Sequence, residues 1–139
     1  MDFIELKLIE KIGNVLSCAV YERKYNRYEL VKMWLGSETY RLTVEFDVSI
    51  CSQAKSYILR TFEQEVQDRL PLKDNDSPLY KDDVYWFGYI TAYWFFLDGT
   101  TGREILDKYN VEKILDEFDV LHTVSVKTAI SKIKEDDLK

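Results

Sequence analysis

Eight of the chain's twenty aromatic residues stand between Asp82 and Leu97, and this crowding constrains the fold more than any other feature. Tyr85, Trp86, Phe87, Tyr89, Tyr93, Trp94, Phe95 and Phe96 populate every side of a helical wheel, so the segment is predicted as a central helix surrounded by others. The near-continuous apolar run from Val84 to Leu97 is fourteen residues long and holds Gly88 and Thr91. A bilayer span needs about 20, so the run reads as a core helix, and no membrane partner is expected. Gly88 weakens helix propensity and is predicted to mark a close approach of another backbone. Core bulk outweighs a ligand pocket as the reason for so many rings, although buried Tyr hydroxyls and Trp indoles still need partners.

The rest of the chain supplies helices to pack around it. Ile4, Leu8, Ile9, Ile12, Val15, Leu16, Ala19 and Val20 form one apolar stripe at three- and four-residue steps. Asn26 is placed to cap a second helix and Gly36 to end it. Ala54, Tyr57, Ile58, Phe62 and Val66 share another face. Thr101-Gly-Arg-Glu104 has the form of a capping box, Asn110 can cap a short helix, and Ser125 can cap a last one. Five Gly and two Pro are few for an all-β chain, which needs turn residues at short intervals. The expected fold is therefore all-α, a single domain over residues 1–139. A loop is expected at 71–81, where two prolines flank a polar centre, and a frayed charged tail at 134–139.

One segment resists this reading. Tyr40, Leu42, Val44, Phe46, Val48 and Ile50 alternate with polar residues, which is the strongest strand signal in the chain. A strand or β-ribbon at about 40–50 would need a partner, and no second segment alternates in the same way. Either it pairs across a symmetric homodimer, or packing overrides the pattern and Ser37 caps a helix. Both readings stand at the level of sequence.

Chemistry is sparse. The single histidine, His122, excludes a His-rich metal site, and no cofactor or metal is expected. Pairing of Cys18 or Cys51 with His122 as a nucleophile has nothing to support it; a structural imidazole bonded to backbone near a helix end is the expected role. A helix-turn-helix around Arg103–Leu115 is excluded by charge, since residues 98–121 hold seven acids and three bases, a net of −4. With a formal net charge of −6, the chain has no general attraction to nucleic acid. Met1-Asp2-Phe3-Ile4-Glu5 lacks a basic leader, and two isolated cysteines suit free thiols, so a cytoplasmic location is expected.

Gly88-Tyr89-Ile90, Tyr93-Trp94 with a following aromatic, a Gly/Thr turn, Ile105, His122-Thr123 and Ala129-Ile130 resemble a family of small bacterial and phage-associated helical proteins. Members often look like the antitoxin-type partner of a two-gene toxin–antitoxin module. Ser37-x-Thr39-Tyr40 is similar as well, so the likeness covers about residues 37–133. The chain departs from the pattern at Phe95, where relatives tend to have His, and at Asp98-Gly-Thr-Thr-Gly102. The resemblance implies a non-enzymatic interaction protein that neutralises a bacterial toxin or effector by direct binding. The expected partner-binding residues are Tyr85, Trp86, Tyr89, Tyr93, Trp94, Asp98, Thr100, Thr101 and Arg103. Tyr and Trp dominate binding hot spots, and an acidic surface steers association with a basic partner. The alternative is a small-ligand or sensor domain with an aromatic pocket; third comes an enzyme with a dispersed acid–Tyr–His site around His122.

Overall fold

The computed structural model describes residues 1–70, 73 and 80–136. Among them are ten α-helices: α1 (Phe3–Tyr21), α2 (Arg27–Leu35), α3 (Glu38–Val44), α4 (Val48–Cys51), α5 (Lys55–Glu65), α6 (Asp83–Asp98), α7 (Gly102–Lys108), α8 (Val111–Asp116), α9 (Phe118–Leu121) and α10 (Val126–Asp136). A 3-10 turn, Gln67–Arg69, follows α5. The fold is all-α. Most of the predicted loop at 71–81 lies outside the described residues. Helical backbone continues through Asp136. The Lys134 ammonium donates to Asp98 at 2.7 Å and lies over the Trp94 ring. Residues 137–139 lie outside the described set.

Local signals set the helix ends. Asp2 and Glu5 form a reciprocal capping box on α1, and Thr101 and Glu104 form another on α7. Asn26, Asn110 and Ser125 accept hydrogen bonds from backbone N–H groups in the first turns of α2, α8 and α10. Each satisfies donors that a helix start leaves without an intrahelical acceptor.

The alternating segment is two helices and not a strand. Ser37 accepts from the Tyr40 N–H at 3.0 Å, and the Glu65 carboxylate of α5 accepts from the Glu38 and Thr39 N–H groups at 2.8 and 2.9 Å. The orphan donors of α3 are thereby satisfied by a side chain remote in sequence. Phe46 then takes φ 61°, which breaks the helical path, and Asp47 accepts from the Ser49 N–H to open α4. Thr39, Tyr40, Thr43, Val44 and Ile50 are buried by this arrangement. A strand would have buried every second residue instead. With no strand edge here, the expected route to a homodimer through edge pairing disappears. The described residues hold one isolated β-bridge, between Tyr25 and Lys73.

The centre is the crossing of α1 and α6. They run antiparallel: the Tyr21 ring, at the end of α1, meets Tyr80 at 4.8 Å, while Gly13 meets Gly88 in mid-helix. A Cβ on Gly88 would stand 3.3 Å from the Gly13 Cα and 2.9 Å from Leu16 Cδ1. This is the close backbone approach expected of Gly88. Helices α2, α3, α8, α9 and α10 pack on the other sides of α6. Beside this crossing, the Arg27 guanidinium pairs with the buried Asp83 carboxylate, which also accepts from the Tyr21 hydroxyl at 3.1 Å. No described helix is long and apolar enough to cross a membrane.

Candidate functional site: the open side of α6

The central helix is not enclosed all round. Val84, Phe87, Ile90, Thr91, Ala92 and Trp94 are buried, but Tyr85, Trp86, Tyr89, Tyr93, Phe95 and Phe96 are only half-buried. Gly13 and Gly88 let α1 approach closely along one side of α6, and the helices beyond it, α8 and α9, are short.

Along that flank Tyr85, Tyr89 and Tyr93 follow one another at four-residue spacing. Their ring centroids are 6.2 and 6.4 Å apart, and the second pair is nearly parallel at 20°. None of the three hydroxyls bonds to another described residue. Burial, reinforced by the Glu10 carboxylate of α1, pushes the Tyr85 and Tyr89 hydroxyls above the ordinary tyrosine value. They are therefore neutral donors at physiological pH.

Beside the first two rungs lies an open groove of about 320 Å³, lined by aromatic rings and edged by Asn14 and Asp82. Its far wall comes from α9: Trp86 meets Phe118 edge-on at 5.8 Å, and His122 stacks on Phe118 at 4.4 Å and 19°. The His122 Nδ1 donates to the Phe118 carbonyl at 2.6 Å, which orients the ring. Tyr80 closes one end; its hydroxyl accepts from Ser17 at 3.3 Å, and the nearby Asp82 carboxylate raises the Tyr80 pKa. Lys81 lies over the Phe118 ring at 5.5 Å and pairs with Asp119 at 2.9 Å.

The sequence-predicted residues thus fall into three places. Tyr85, Trp86, Tyr89 and Tyr93 share the open flank. Trp94 does not: it is 1% exposed, packed against Tyr109 at 5.4 Å, and belongs to the core. Asp98, Thr100, Thr101 and Arg103 sit at the opposite end of α6, with their hydroxyls committed locally. Thr100 donates to Asp98 at 2.5 Å, Thr101 caps α7, and Asp98 holds Lys134. Arg103, 67% exposed, reaches the Glu38 carboxylate of α3 at 3.9 Å. Tyr80, Asp82 and Phe118 were missed as groove residues, because they converge from segments that no local pattern connects.

Burial, together with the hydrogen bond to Glu22 at 2.6 Å, pushes the Cys18 thiol up to about 11, away from the reactive thiolate. Cys51 lies beside Phe3, Lys7 and Phe46 on another surface. Among the described residues, no group of three His, Cys, Asp or Glu side chains gathers as a metal site. No protein-family model, curated protein or solved structure matches the chain.

Proposed function

We propose that the chain is an interaction protein of the antitoxin or immunity type, which neutralises a bacterial toxin or effector in the cytoplasm by binding it directly. The observation that carries this reading is the half-exposed ladder Tyr85–Tyr89–Tyr93, continuous with Trp86, on the helix that the fold itself is built around. Large amphipathic rings held by a rigid helix offer contact area at little cost in side-chain entropy, which is the character of a binding hot spot. The resemblance of residues 37–133 to antitoxin-type helical proteins points the same way. So does the net charge of −6, which favours encounter with a basic partner.

The test is co-expression with the product of the neighbouring gene. The expected result is a stable one-to-one complex and rescue of growth if that product is toxic. Lack of a complex together with lack of rescue would contradict the proposal. A second reading, a small-ligand or sensor domain, is favoured by one feature, the aromatic groove beside Trp86. Saturable binding of a small molecule there, with no protein partner recovered, would select it.

A further inference from the structure

We infer that the groove between α6 and α9 receives an arginine side chain of the partner protein, a proposal that rests on the protein-partner reading. Tyr85, Trp86, Tyr89 and Phe118 present ring faces and edges around an open space, and a carboxylate, Asp82, stands at its rim. Ring faces attract cations, and a planar guanidinium can stack on a ring while its N–H groups bond a carboxylate. The chain's own Lys81 already shows the wall's preference, with its ammonium over Phe118 and its charge answered by Asp119.

The surrounding charges favour a cation as well. Among the described residues Asp82 has no ion pair and lies by the neutral Tyr80 hydroxyl, whereas Glu10 pairs with Lys7 at 3.5 Å and Asp119 with Lys81. Asp82 is thus the carboxylate left for an incoming charge. An apolar occupant would strip water from Asp82 and return nothing. A second copy of this chain brings net negative charge to an already acidic rim. A phosphate-bearing ligand would be repelled.

The experiment is a titration of the full chain, followed by ¹⁵N and ¹H NMR, with acetyl-Gly-Arg-Gly-amide. The controls are the norleucine and glutamate versions of the same peptide, and tetramethylammonium. Trp34 and Trp94 provide internal references, since both indole N–H groups are buried and have no hydrogen-bond partner among the described residues. The arginine peptide should move the Trp86 indole and His122 ring signals saturably while leaving Trp34 and Trp94 in place. Asp82→Asn, a surface change, should weaken that binding about 5-fold, and Phe118→Leu by at least as much. An equal response to norleucine, no response to arginine up to its solubility limit, or tighter binding of tetramethylammonium would each overturn the assignment. A flat titration would remove the arginine without touching the protein-partner reading, which is decided separately by co-purification.

Discussion

Gly13 and Gly88 meet across the α1–α6 crossing with no side chain between them, and a Cβ on Gly13 would stand 2.8 Å from the Tyr85 ring and 3.0 Å from the Tyr85 carbonyl oxygen. The same contact that seals the core positions the first rung of the exposed tyrosine ladder. Gly13→Ala should therefore lower stability by about 1–3 kcal/mol through overpacking. It should also move the Tyr85 ring. Gly88→Ala should cost less, because Leu16 Cδ1, at 2.9 Å, is the end of a flexible side chain. Urea unfolding of both variants, and of the double variant, measures this; additivity of the two costs would contradict a shared contact.

Asp83 is 5% exposed at its side chain and is held by Arg27 and Tyr21. Asp83→Asn removes the charge of a buried carboxylate that both Arg27 and Tyr21 bond. The expected loss is about 3 kcal/mol, toward the low end for breaking a buried pair because Arg27 keeps 21% exposure. Chemical denaturation provides the check.

Alkali should destabilise the fold before most backbone contacts are touched. Tyr25 is pushed up to about 12 by burial and then by its hydrogen bond to Glu63, and Tyr28 to about 12 by its bond to Asp116 and then by burial. Unfolded tyrosines ionise near pH 10. The folded state therefore binds more protons above that pH, and the stability contributed by these bonds is lost as the pH rises from about 10 through about 12. Melting curves over this range should show the decline, and Tyr25→Phe should reduce it.

Core and contact roles of the aromatic residues can be separated directly. Trp94→Ala should cost about 3–5 kcal/mol, since it empties a fully buried site. Tyr93→Ala should cost about 1 kcal/mol or less, because its ring is only half-buried. Thermal melts of the two variants, compared with the parent chain, test the division of α6 into an inner and an outer side.

That division marks the limit of what could be read from residue order. Caps are local, so Asn26, Thr101 with Glu104, Asn110 and Ser125 announced their helices, and Gly88 announced a close crossing. The segment 40–50 stayed open between strand and Ser37-capped helix because its alternation is real while its outcome is decided by Glu65, a residue of α5 that caps α3 from outside. Trp94 and Tyr93 are neighbours with equal aromatic character, and only the placement of α1, α8 and α9 makes one core and the other surface. The groove depends on the same tertiary step, since Tyr80, Trp86 and Phe118 meet only after α9 folds back on α6.

The proposed contact role of the outer side of α6 is tested most directly by calorimetry of the purified chain against the neighbouring gene's product, with the parent and with Tyr89→Ala. That role predicts a one-to-one complex whose affinity falls about 30-fold or more on removing Tyr89, equivalent to about 2 kcal/mol, with the fold retained. Undiminished affinity of Tyr89→Ala for that partner would contradict it.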